Sequence, residues 1–181
     1  MKHPFFTLGH STRPIAEFVA LLNEARIQLV ADVRTVPRSR TNPQYNKDVL
    51  PADLLRCNIG YQHFASLGGL RGRARAVPPV TNAFWRQESF HNFADYAMSQ
   101  AFREGLAELQ QAGSACRCAI VCAETLWWRC HRRIIADYLI ARHETVYHIL
   151  GKGHTERATL TTAARPGPHG TLVYPGGSTP A

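Results

Sequence analysis

Apolar and polar positions along this chain fall into short blocks that switch between continuous runs and helical spacing. Phe5 to Leu8 is an apolar run that stops at Gly9-His10-Ser11-Thr12-Arg13-Pro14, after which Ile15, Phe18, Leu22 and Ala25 recur at the spacing of one helix face. Ser11 or Thr12 is expected to cap that helix, with Pro14 in its first turn. Leu29 to Val33 reads as a second buried strand, closed by Asp32 and Arg34 and followed by the polar loop from Pro37 to Pro43. Pro51 to Cys57 predicts a short helix and Ile59 to Phe64 a third strand. Two helices follow, one carried by Phe90, Phe93, Ala94 and Ala97, the next by Phe102, Leu106 and Leu109 and ending at Ala112-Gly113. Cys118 to Cys122 is the fourth strand. A helix starting near Cys130 turns Ile134, Ile135, Tyr138 and Leu139 inward, and Thr145 to Ile149 is the fifth strand.

Strands alternating with amphipathic helices predict a single three-layer α/β domain over residues 1–153. Its mostly parallel, Rossmann-like sheet has about five strands joined by right-handed crossovers. Beyond Gly151 the pattern changes. Residues 154–181 are expected to form a C-terminal extension, irregular or a hairpin around Pro166-Gly-Pro-His-Gly170, packed on the domain or partly disordered. In the doubly wound order 3-2-1-4-5, strands one and four are neighbours whose carboxyl ends open a crevice. His10 and Ser11 leave strand one, Asp32 and Arg34 leave strand two, and Glu124, Cys130 and His131 follow strand four, so three distant segments converge there.

With 181 residues the chain is long enough for one core. No apolar stretch approaches the roughly 20 residues that span a bilayer, and the first ten residues lack the apolar region of a signal peptide, so a cytoplasmic protein without a membrane partner is expected. Five cysteines, an odd number without the spacing of a secreted scaffold, predict free thiols. The formal charge is +8, and three lysines leave 18 of the 21 basic residues as arginine. Arginine suits planar contacts to phosphate or carboxylate, although GC-rich codon usage raises its count too.

Chemistry concentrates between Cys118 and Arg133, where an apolar strand ends at Glu124, passes Trp127 and Trp128, and resumes at Arg129-Cys130-His131-Arg132. A cysteine at a helix start beside histidine and arginine has the surroundings that favour thiolate. Cys130 is therefore the nucleophile candidate, with His131 or His10 as base or orienting group; the competing reading makes Cys130 a small core residue. Alternation puts Cys118, Ile120 and Cys122 on one strand face, the placement of buried thiols, although the position of Cys122 at the strand's end leaves it a way to the site. Asp32 and Glu124 can act as proton-transfer groups or fix arginines in ion pairs. Ser11, Arg34, Arg38, Arg40, Arg129 and Arg132 are the expected ligand-binding set. Arg71, Arg73, Arg75 and Arg133 lie in neighbouring loops, and Tyr45, Phe84, Trp85, Trp127 and Trp128 are available for stacking on bases.

Taken together, Thr7-Leu-Gly-His-Ser-Thr-Arg13, Asp32-Val-Arg34, Pro37-Arg-Ser-Arg40, Asn42-Pro-Gln-Tyr-Asn46, Leu67-Gly-Gly69, and Cys122-Ala-Glu124 followed by Cys130-His131-Arg132 closely resemble the DUF488 family of bacterial and archaeal proteins. The likeness runs from about residue 5 to about residue 174. It implies one α/β domain and marks the polar cluster as the family's signature, but it implies no reaction, because the family is one of unknown function.

Other classes fit less well. Cys122 and Arg129 are separated by one residue more than in the phosphate loop of tyrosine phosphatases, and the loop has no glycine; rhodanese-like sulfur transfer shares the same thiol-at-loop logic. The cysteines lack a paired Cys-x-x-Cys, so no metal is expected. A Walker loop and a dinucleotide glycine fingerprint are absent, and no cofactor is expected. The sequence thus predicts an enzyme with an arginine-rich cleft for an anionic, phosphate-containing or nucleic-acid-derived ligand. The alternative is a non-catalytic module that binds nucleic acid or an acidic partner.

Overall fold

The computed structural model describes residues 3–177. Apolar runs become the parallel strands β1 (Phe5–Gly9), β2 (Leu29–Asp32), β3 (Gly60–His63), β4 (Cys118–Cys122) and β5 (Val146–Gly151). The periodic segments become α1 (Ile15–Glu24), α2 (Leu50–Leu55), α3 (Glu88–Ala97), α4 (Gln100–Ala115) and α5 (Arg132–Ala141). Strand alternation divides the core in two. Phe6, Leu8, Val30, Ala119 and Val121 face α1 and α2 through Phe18, Leu22, Leu50 and Leu54. Phe5, Ala31, Cys118 and Ile120 face α3, α4 and α5 through Phe93, Leu106 and Ile135. Helices therefore cover both faces of one sheet.

Strand order is β3-β2-β4-β1-β5-β6, with β6 (His154–Arg157) antiparallel to β5 at the edge. This corrects the order 3-2-1-4-5: β4 inserts between β2 and β1, pairing Leu29 and Phe5 on either side of Cys118. β1 and β4 remain neighbours, so the ends carrying His10 and Cys122 still meet. Four strands, β2, β4, β1 and β5, have neighbours on both edges, and the apolar β4 and β1 lie at the centre. The sheet also runs on past residue 153 through β6, and Arg165–Pro166 pairs with Leu172–Val173 in a small hairpin, β7 and β8. Tyr174 seals that tail onto the domain. Its ring is buried, its hydroxyl donates to Asp137 at 3.0 Å, and its N–H donates to the Asn82 side chain at 2.9 Å. Residues 178–181 of the expected extension lie outside the described residues.

Two local expectations change. No side chain caps α1; Pro14 holds the cap position, and Ser11 instead adopts a left-handed φ of 50° while its N–H bonds Ala123. α4 continues through Gly113 to Ala115, because a Cβ at Gly113 would overlap the Phe5 ring at 2.1 Å: the glycine admits a core aromatic and does not end the helix. Among the described residues no helix is long and apolar enough to cross a membrane.

Candidate functional site

The carboxyl ends of β1, β2 and β4 are stitched together by backbone bonds. His10 N–H donates to Cys122 at 2.9 Å, Ser11 N–H to Ala123 at 3.0 Å, and Val33 N–H to Val121 at 3.0 Å. A Cβ on Gly9 would sit 2.0 Å from the Glu124 carbonyl oxygen, so only glycine lets the two chains approach this closely. Above this junction opens a cleft of about 700 Å³, a size typical of small-molecule sites. His10, Ser11, Arg34, Arg38, Glu124, Arg129, Cys130 and His131 all line it. Asp32 and Arg132 stand behind its wall. Arg40 is exposed and does not line it.

Asp32 is fully buried and anchors Arg34. Its carboxylate accepts from Arg34 Nε at 2.9 Å and from Nη2 at 2.5 Å, and from the Tyr61 hydroxyl at 2.8 Å. Burial works against the charge on Arg34, but the carboxylate outweighs it and raises the guanidinium pKa. Asp32 is thus an ion-pair partner that does not line the cleft, the second of the two roles its sequence position allows.

His10 has both ring nitrogens engaged. Nδ1 donates to the Ser11 carbonyl at 2.8 Å, which leaves Nε2 to accept from Arg34 Nη1 at 3.3 Å, and the ring stacks on Tyr45 at 3.9 Å. Burial lowers its pKa to about 4, and Arg34 adds to the effect. It is a neutral wall residue tied to Arg34.

The sulfur of Cys130 is the centre of the site. Arg132 Nε donates to it at 3.2 Å, and His131 Nδ1 lies 3.6 Å away. The other nitrogen of that imidazole, Nε2, donates to the Val33 carbonyl at 3.1 Å, fixing the ring so that Nδ1 faces the sulfur. Arg132 is only 1% exposed; its Nη2 donates to the Glu124 carbonyl, and no carboxylate among the described residues lies within ion-pair distance of it. Its negative partner is the sulfur. Burial opposes ionisation of Cys130, yet the Cys122 thiol, Arg132 and His131 outweigh it and take its pKa well below that of an ordinary thiol. Cys130 itself precedes α5, with extended φ and ψ of −125° and 145°, so this support comes from side chains.

Cys122, which strand alternation groups with the buried thiols, reaches the cleft from its place at the end of β4. It lines the cleft with its sulfur within 4.8 Å of that of Cys130; the neighbouring Cys130 thiol first, and burial second, raises its pKa well above the usual value. The signal lay in its place as the last residue of β4, where alternation no longer dictates burial. Glu124, by contrast, is exposed, and its carboxylate accepts the Leu126 N–H at 3.2 Å, so it fixes its own loop. The Leu67-Gly-Gly69 segment acquires a role as well: a Cβ on Gly69 would lie 2.4 Å from His131 Nδ1.

Arginines and aromatics outside the cleft serve packing. Arg71 lies 3.7 Å over the Tyr96 ring and Arg133 4.9 Å over Trp85. Trp127 stacks on buried His148 at 4.1 Å, and Trp85 is buried against Phe90. Trp128 is the expected stacking residue that stays exposed. Cys122, Cys130 and His131 are, among the described residues, the one group whose donor atoms all lie within 4.8 Å and could surround a metal ion. Two sulfurs and an imidazole suit a soft metal ion, but the guanidinium bonded to Cys130 places a positive charge beside the position a cation would take.

Fold and site together define a mostly parallel α/β protein whose polar and thiol side chains gather at the strand carboxyl ends around the buried sulfur of Cys130. The chain belongs to the family described as Domain of unknown function DUF488, whose profile matches residues 14–139, a shorter span than the motifs suggest. No curated protein and no solved structure matches the chain.

Proposed function

We propose that the protein is an enzyme whose Cys130 thiolate attacks an anionic small molecule held in the arginine-lined cleft. One observation carries this reading: a buried guanidinium, Arg132, has a cysteine sulfur as its anionic partner at the floor of an open cleft. A buried charge without a counter-charge is strongly unfavourable, so the pair holds Cys130 ionised and reactive. His131 orients the sulfur and stands ready to exchange a proton through Nδ1. Arg34 is neutralised by Asp32, which leaves exposed Arg38 and Arg129 to draw in phosphate or carboxylate groups. Val36 and Leu70, 60% and 75% exposed at the cleft rim, suit an apolar portion of the ligand.

Alkylation at neutral pH, followed by peptide mass spectrometry, tests the proposal. Cys130 should react with iodoacetamide faster than Cys57, Cys116 or Cys118, and inorganic pyrophosphate should slow that reaction by filling the cleft. Modification of Cys130 no faster than that of fully buried Cys118 would refute the nucleophile. Salt-sensitive binding of oligonucleotides, undiminished in Cys130→Ser, would favour the non-catalytic binding module.

A further inference from the structure

We infer that Cys122 and Cys130 form a redox-active dithiol that reduces an anionic low-molecular-weight disulfide, Cys130 making the mixed disulfide and Cys122 resolving it. The inference rests on Cys130 being the nucleophile and goes further by naming the electrophile and a second catalytic thiol.

Three features carry it. First, the two sulfurs lie within 4.8 Å of each other and both line the cleft, although eight positions separate them in sequence. The chain has no Cys-x-x-Cys; the pair is assembled by β4 ending beside the start of α5. Second, the two thiols are unequal. Cys130 has Arg132 Nε at 3.2 Å and His131 Nδ1 at 3.6 Å, whereas no cation among the described residues bonds Cys122, whose sulfur lies within 4.8 Å of Cys130 and whose pKa that neighbour raises. A dithiol needs this asymmetry, one sulfur ionised to attack and one protonated and waiting. Third, Cys57 and Cys116 are absent from the cleft lining and Cys118 is wholly buried, so Cys122 is the thiol placed to resolve an adduct on Cys130.

The exchange balances as follows. The Cys130 thiolate attacks one sulfur of RSSR, forming the Cys130–SR bond as the S–S bond breaks and RS⁻ leaves. Capping Cys130 removes the thiolate charge that holds the proton on Cys122, while the positive Arg132 remains beside it. The first RS⁻ takes the Nδ1 proton of His131 and leaves as RSH, so Cys122 passes its own proton to the vacated Nδ1 and attacks the Cys130 sulfur. The Cys122–Cys130 bond forms, and the second RS⁻ departs, taking the proton as RSH. The substrate disulfide gains two electrons and the enzyme dithiol loses them. Exposed Arg38 and Arg129 at the mouth favour a disulfide carrying carboxylates.

Oxidised glutathione is the probe, with cationic cystamine as its counterpart, read by intact mass and peptide mapping. The wild-type chain should lose two hydrogen masses, show a Cys122–Cys130 link and release both halves of the glutathione disulfide. Cys122→Ser, with Cys122→Ala as a second variant, should retain a glutathionyl group on Cys130 at least about tenfold longer, because the neighbouring thiol acts as an intramolecular nucleophile. Cystamine should react about tenfold more slowly than oxidised glutathione; an equal rate would refute the anionic selectivity. A wild-type adduct as long-lived as that of Cys122→Ser would overturn the dithiol while leaving Cys130 as a nucleophile. A Cys130 inert to both glutathione and iodoacetamide would overturn both readings. One zinc per chain that shields the two thiols until chelated would likewise overturn the dithiol.

Discussion

Replacing Arg132 by methionine tests the electrostatic core of the site. Arg132 Nε stands 3.2 Å from the Cys130 sulfur, and at an effective dielectric of about 20 two unit charges at that separation attract by about 5 kcal/mol. Water recovers part of this in any comparison of states, and hydrogen bonds to charged groups retain about 1.5–3 kcal/mol. At about 1.4 kcal/mol per unit, that range corresponds to a rise of about one to two units in the thiol pKa. The assay is the pH dependence of Cys130 alkylation, followed by mass spectrometry from acid to mildly alkaline pH. The Arg132→Met midpoint should move up by that amount and reactivity should return at high pH, because His131 still faces the sulfur. Arg132→Lys, which keeps the charge and loses the planar fork, should fall between the two. Far-ultraviolet circular dichroism distinguishes a retuned site from an unfolded chain, since Arg132 also holds the Glu124 carbonyl. A folded Arg132→Met protein whose midpoint stays where it was would refute the thiolate–guanidinium pair.

Two further outcomes follow from the same geometry. His10 and His148 are each about 2% exposed, and burial lowers both pKa values to about 4, so between pH 6.5 and 4 the unfolded chain binds protons that the folded one does not. Stability to urea should therefore be full above about pH 6.5 and fall as the pH drops toward 4, by up to about 3 kcal/mol for each histidine; His148→Gln should lose less, and a flat profile would contradict the burial. Gly69→Ala pushes a methyl group to within 2.4 Å of His131 Nδ1 and should slow Cys130 alkylation by about tenfold to a hundredfold, while the melting temperature, read by differential scanning fluorimetry, shifts by only a few degrees.

Much of this architecture could be read from residue order, because it follows from local rules. Apolar runs bounded by polar residues gave β1, β2 and β4, and Phe18, Leu22, Ile134 and Ile135 marked the buried helix faces. Convergence of His10, Arg34 and Cys130 followed from placing polar residues at strand ends. What escaped was long-range. Strand order depends on which apolar strand lies against β2, and β4 took the place assigned to β1. Gly113 looks like a helix stop until the Phe5 ring beneath it is known. Arg132 looks like one more surface arginine; its burial follows from the register of α5 against β4 and β5, which no short motif encodes. Cys122 was grouped with the buried thiols by a rule that holds within a strand and fails at its end.

The two buried arginines explain why the cleft divides its labour. Both guanidinium groups had to find negative partners, since an uncompensated buried charge is strongly destabilising. Arg34 finds a carboxylate two residues away on its own strand exit, so its charge is taken up within the wall by Asp32, the Tyr45 carbonyl and the lone pair of His10. Arg132 finds no carboxylate and reaches a carbonyl and a sulfur, so the fold's demand for a counter-charge falls on Cys130. Had β1 and β4 exchanged places, His10 would have stood beside the end of β2 and Cys122 toward β5. With β4 between β2 and β1, Cys122 holds the middle, adjacent to Cys130, whose pKa its neighbours lower. Arg38 and Arg129, whose side chains have no ion-pair partner among the described residues and stand exposed at the mouth of the cleft, are the arginines the proposed function assigns to anion capture.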